Sequence, residues 1–102
     1  MDIVLDSIGG FEWDEGNQQK SLTKHGVRPL ESEEVFFNFN LLSYDPGHSQ
    51  QEERYRLLGQ SNGGRILFII FTIRNNKIRV ISSRLANKKE RNIYAKAFKE
   101  NT

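Results

Sequence analysis

The segment RILFIIFTI, residues 65–73, is the most apolar stretch of the chain and does most to limit what the chain can become. Its apolar core is strand-sized and far short of the ~20 residues that cross a bilayer as a helix. β-Branched and aromatic residues dominate it, which favours a strand. Unbroken apolarity reads as a central strand, covered on both faces for much of its length. Asn75 and Asn76 follow Arg74, and asparagine tolerates the positive φ of a two-residue hairpin loop. KIRVISSR, residues 77–84, then returns antiparallel. That hairpin should build the core, yet it carries Arg74, Lys77, Arg79 and Arg84. Two readings of these cations stand: solvated strand positions, or a surface that binds something negative.

The remaining elements follow from caps and breakers. Residues 11–13 read as a short strand, and Asp14 as the N-cap of a helix over about 14–25 that Gly26 ends in a left-handed turn. Residues 29–38 read as a second helix with Pro29 in its first turn. LLSYD is a short strand, PGHSQQ a polar loop, ERYRLLGQ a strand and SNGG a turn. Asn87 and Glu90 form a capping box for a last helix with Ile93, Tyr94, Ala97 and Phe98 as its apolar stripe. The order is β-α-α-β-β-β-β-α. It predicts an α+β fold, one antiparallel sheet with helices packed on one face, in a single domain over residues 1–102.

With the loop at Asn75-Asn76, Arg74 faces Lys77, Thr72 faces Arg79, Ile70 faces Ile81 and Phe68 faces Ser83, all on one sheet face. The other face carries Leu67, Ile69, Phe71, Ile73, Ile78 and Val80 and belongs under helices. The first face is apolar at one end and cationic at the other, so it is the open one. An odd-length loop before residue 65 would set Arg54 opposite Thr72 and Arg56 opposite Ile70 on that face; an even one would present Tyr55 and Leu57 instead. The odd register is preferred, because it moves Arg54 off the apolar face.

Charge is uneven along the chain. Residues 74–102 hold nine Lys/Arg against two Glu, while residues 1–73 hold six basic and eleven acidic side chains. Such asymmetry suggests a polyanion-facing side; a solvated basic helix is the plainer account. There is no cysteine, so no disulfide framework or thiolate site, and two histidines make a zinc centre improbable. Neither a transmembrane run nor a signal peptide is apparent, since the first residues carry Asp2 and Asp6. A cytoplasmic protein is expected, with no cofactor and no metal.

Guanidinium groups spaced across a sheet suit phosphate through paired charge-assisted hydrogen bonds. RNA cleavage needs three things: the 2′-OH deprotonated, the pentacoordinate phosphate stabilised and the leaving 5′-oxygen protonated. Arginines supply the second without a metal. For the others the candidates are His48, His25, Glu53 and Tyr55. His48 lies in a loop beside the Arg54 strand. His25 sits at a helix end, where its charge favours the helix dipole. Glu53 is a base or one half of a surface ion pair. Trp13 reads as core. Without chemistry, the same basic face describes a module that binds nucleic acid or an acidic partner.

The ordered set FEWDE…K…L…KHGV, E…VFF, D…HS…EERY…LG, GR, T.R and IRVISSR.A…ER..Y resembles the toxin of the type II toxin–antitoxin pair BrnT/BrnA, from Phe11 to Tyr94. The resemblance implies a RelE/ParE-like fold and a ribonuclease that halts translation by cutting RNA without a metal. It implies a small ribbon-helix-helix antitoxin, BrnA-like, that neutralises the toxin, with operator DNA bound only through their complex. On the matching positions, Arg54 and Arg79 would stabilise transition-state charge and Glu53 or His48 would serve as base or acid. Arg65, Arg84, Arg74 and Lys77 would contact RNA phosphate. The chain departs from the family pattern at Glu15, where proline is usual, at FFNFN, where an acidic F.DP turn is usual, and at Ser83, which replaces a small apolar residue. Phe37 and Phe39 are either antitoxin-binding surface or packed under the first helix, the latter being preferred.

Overall fold

In the computed structural model Asn75 and Asn76 both take positive φ, 51° and 61°. The hairpin closes there, with Arg74 opposite Lys77 and Thr72 opposite Arg79. The structure describes residues 9–48 and 52–102, and only the backbone of His48. The reading of the first residues as no signal peptide therefore lies outside the described residues.

Three helices and four strands are described: α1 (Glu15–His25), α2 (Pro29–Phe37), β1 (Asn40–Tyr44), β2 (Arg54–Gln60), β3 (Ile66–Arg74), β4 (Lys77–Leu85) and α3 (Lys88–Asn101). The sheet is antiparallel in the order β1-β2-β3-β4. The α+β class is as the sequence predicts. The expected first strand is reduced to a single parallel bridge between Phe11 and Ile78, because Asp14 begins capping α1 three residues later. Its side chain accepts from the Asn17 amide, and the Asn17 side chain accepts from the Asp14 amide in return.

Residues 61–65 form the odd-length loop, so Arg54 lies opposite Thr72 and Arg56 opposite Ile70. Tyr55, Leu57, Leu67, Ile69, Phe71, Ile78 and Val80 point the other way and form one core with Val27, Val35 and Phe36. The Phe36 ring meets Phe71 edge-on at 5.0 Å, and Tyr55 stacks on Phe71 at 5.4 Å. Gly59 permits the close approach of α2: a Cβ there would stand 2.8 Å from Val35 Cγ1 and 3.0 Å from Asn40 Cβ. Trp13 packs against this core and donates to Glu33 at 2.7 Å.

α1 and α2 lie on the apolar face, while α3 packs on the far end of the other face. There Tyr94 forms a second cluster with Leu58 and Ala86, flanked by Phe39, Leu41, Ile66 and Phe68. Phe39 belongs to this cluster, in ring contact with Tyr94 and Phe98, so it packs under the last helix rather than the first. Phe37 is exposed and touches the Phe11 ring at its edge.

One register expectation fails, and the reason is local. Between Ile70 and Phe71 the β3–β4 pairing shifts: Phe71 faces Val80, but Ile70 faces Ser82 and Phe68 faces Arg84. Ile81 is the extra residue of a β-bulge. Ser83 is therefore not on the Arg79 face. It is buried under the helices, where its hydroxyl accepts from Ser32 Oγ and its amide donates to Ser21 Oγ, both at 2.9 Å. Asn17 Nδ2 donates to the Val80 carbonyl at 3.2 Å. α1 is weakly amphipathic in sequence because the side chains it buries, Asn17 and Ser21, are polar. They satisfy the backbone of the bulged strand.

Candidate functional site: a cationic depression on the open face

Strand alternation and the bulge together build a depression of about 450 Å3 on the open face of the sheet. Arg54 and Arg56 come from β2, Phe68 and Ile70 from β3, Ile81 and Ser82 from β4. Asp45 and Gly47, from the β1–β2 connection, and Lys20 of α1 complete its lining. Three cations thus meet one carboxylate over an apolar floor. Asp45 is buried, and its Oδ1 lies 3.6 Å from Arg56 Nη2. The Arg56 guanidinium also donates to the Tyr44 carbonyl at 3.4 Å.

The line Arg54–Thr72–Arg79 forms across three strands, as the odd register requires. Thr72 is buried in its middle and donates to the Glu53 carbonyl at 2.7 Å. Arg79, at the far end, is engaged by two carboxylates: Nη1 meets Glu12 Oε1 at 3.1 Å and Nη2 meets Asp14 Oδ2 at 2.9 Å. The Asn17 amide and the Arg79 guanidinium hold the Asp14 carboxyl below its ordinary range. Arg79 therefore pins the start of α1 to β4.

The other predicted cations are dispersed. Arg65 forks onto Glu31 of α2, with Nε to Oε2 at 2.8 Å, and also donates to the Gly26 carbonyl. It joins the ends of α1 and α2 to β3 and does not line the depression. Arg84 forks onto Glu90 at 2.8 and 2.9 Å and lies over the Phe68 ring, 4.4 Å from its centroid. It braces the capping box of α3. These arginines hold Glu31 and Glu90 below the usual glutamate range. At the hairpin tip, Glu52 receives Arg74 Nε at 3.2 Å and lies 3.9 Å from Arg54 Nη2; this carboxylate offsets the like-charge pairing of Arg74 with the exposed Lys77.

Glu53 stands one residue out of phase with Arg54, and its carboxylate accepts from the Tyr55 hydroxyl at 3.1 Å. Burial, followed by the Glu53 carboxylate, pushes the Tyr55 phenol up, which keeps it a neutral donor. His48 closes a short 3-10 turn, Pro46–His48, directly after Gly47 at the depression. His25 is exposed at the end of α1. Among the described residues no His, Asp and Glu cluster into a metal-holding group.

Sequence reasoning missed Lys20, Asp45 and Ser82 as neighbours in space. Lys20 arrives from a different element, Asp45 is hidden in a turn-forming Asp-Pro-Gly, and Ser82 needs the bulge. Arg56 was legible from its two-residue spacing to Arg54 once the register was chosen.

The architecture and the depression define a small α+β protein whose four-stranded sheet offers clustered guanidinium and ammonium groups on its open face. A family model described as the ribonuclease toxin, BrnT, of type II toxin–antitoxin systems matches residues 13–90. The chain belongs to that family, and is a ribonuclease toxin of a type II toxin–antitoxin system with an antitoxin as partner. Its structure is similar to the crystal structure of the Brucella abortus ribonuclease toxin BrnT, with a TM-score of 0.56 and 26% identity, covering 78% of this chain and 97% of that one. No curated protein matches the chain.

Proposed function

We propose that RNA is cut in the depression, endoribonucleolytically and without a metal, and that this is how the toxin stops translation. One observation carries the reading: Arg54, Arg56 and Lys20 converge on one concave site of the open face. The 2′-oxygen attacks the adjacent phosphorus, the P–O2′ bond forms and the P–O5′ bond breaks. The products are a 2′,3′-cyclic phosphate and a free 5′-hydroxyl. Charge accumulating on the non-bridging oxygens meets the two guanidiniums, which are placed before the reaction begins. A base must take the 2′-proton and an acid must return one to the 5′-oxygen. His48 is the better candidate for this exchange than Glu53, because it directly follows Gly47 of the depression in the chain while the Glu53 carboxylate accepts from the Tyr55 hydroxyl. Arg54 remains the leading transition-state contact and Arg56 joins it. Arg79, committed to Glu12 and Asp14, orients α1 and with it Lys20.

The antitoxin is of the ribbon-helix-helix, BrnA-like kind, and toxin and antitoxin bind operator DNA together. No described helix is long and apolar enough to cross a membrane, and the cytoplasm, where RNA and antitoxin are made, is the expected place of action. Purified chain incubated with total RNA in excess EDTA should cut it, leaving cyclic-phosphate ends, and His48→Ala should cut far more slowly. RNA left intact in EDTA but cut on adding a divalent cation would overturn the metal-free reading. RNA retained in strongly salt-dependent complexes and never cut under any of these conditions would instead indicate a binding module.

A further inference from the structure

In a regular strand Ile81 and Ser82 would point to opposite faces. Here both line the depression, since the bulge inserts Ile81 between the Phe71–Val80 and Ile70–Ser82 pairs. The bulge is locked from behind. Ser21 and Ser32 hold Ser83, and Asn17 holds the Val80 carbonyl. Bulges of this kind re-aim side chains beside functional sites. What the bulge adds here is the Ser82 hydroxyl, brought onto the same face as the aliphatic side chains of Ile70 and Ile81, next to the cations of Arg54, Arg56 and Lys20. A nucleotide has the same division: an apolar-faced base with a polar edge, joined to a charged phosphate.

We propose that the bulged segment of β4 is a nucleobase seat that selects where the RNA is cut. It rests on the reading that cleavage occurs in this depression. The base flanking the scissile phosphate lies on Ile70 and Ile81, and the Ser82 hydroxyl hydrogen-bonds its edge while Arg54 and Arg56 hold the phosphate. Ser82 is thus a specificity-determining residue, separate from the charge-stabilising arginines. Its hydroxyl can donate and accept, so it discriminates among base edges by a single hydrogen bond, which yields a modest preference.

The test maps cut sites on total RNA by sequencing the new ends, for the unaltered chain, Ser82→Ala, Ser82→Thr, Ile81→Ala and Arg54→Ala. Ser82→Ala should lose the preferred flanking base, its advantage shrinking by roughly 3- to 10-fold as expected for one hydrogen bond, read as the ratio of cuts beside different bases within one digest. Ser82→Thr should restore the preference. Ile81→Ala should raise KM with little change in kcat. An unchanged base preference in Ser82→Ala and Ile81→Ala, with Arg54→Ala inactive, overturns the seat and leaves the depression as the cleavage site. Normal cutting by Arg54→Ala removes the underlying reading itself.

Discussion

Arg54→Ala is expected to lower RNA cleavage by roughly 100- to 1,000-fold, the usual cost of removing one preorganised donor from a developing oxyanion. The fold should survive. Arg54 lies on the open face, and its 3.9 Å ion pair with Glu52 is long and partly exposed, so it is worth little to stability. Loss of kcat with an unaltered thermal transition would place Arg54 in the chemistry. The contrast is Arg65→Ala. That guanidinium holds Glu31 and the Gly26 carbonyl, remote from the depression, so its loss should weaken the joint between α1, α2 and β3 and leave cleavage by the folded fraction largely intact. If the two variants exchanged these phenotypes, the site would have been assigned to the wrong face.

Phe71→Ala should cost about 3–5 kcal/mol of folding free energy. Phe71 is fully buried in the middle of β3, with Phe36 of α2 in an edge-type contact and Tyr55 stacked on it. Truncation removes both ring contacts and opens a cavity where the sheet meets α2. A domain of this size has only about 5–15 kcal/mol in hand. Chemical denaturation should therefore show a sharply reduced midpoint, and activity at elevated temperature should fall with it. A loss under 1 kcal/mol would mean that the site collapses freely and that the α2–sheet core is less rigid than its packing indicates.

Much of this fold was legible in the chain because each signal was local. The Asn75-Asn76 turn, the caps at Asp14 and Asn87 and the apolar run of β3 each act over a few residues, and each appears where expected. The line Arg54–Thr72–Arg79 followed from one choice of loop parity. The bulge was not legible. It depends on Ser21, Ser32 and Asn17, side chains about 50–60 positions away in sequence whose polar groups make sense only once α1 and α2 are docked on β4. The candidate site divides the same way. Cations were easy to count, but their carboxylate partners were not. Glu12, Glu31 and Glu90 draw Arg79, Arg65 and Arg84 into structural roles, leaving Arg54 and Arg56 beside Lys20 in the depression. Nor did the sequence show that α3 would close the far end of the open face, through Tyr94 on Leu58, and so confine the exposed cationic area to the other end.

The most direct measurement is an NMR titration of the isotopically labelled chain with a short 2′-O-methyl RNA, which lacks the attacking 2′-hydroxyl and stays intact. If RNA is bound and cut on the open face, amide shifts should concentrate at Arg54, Arg56, Ile70, Ile81 and Ser82, and should weaken steeply with added salt. Shifts confined instead to α2 on the opposite face, or to the lysines of α3, with the depression and Lys20 silent, would contradict binding there.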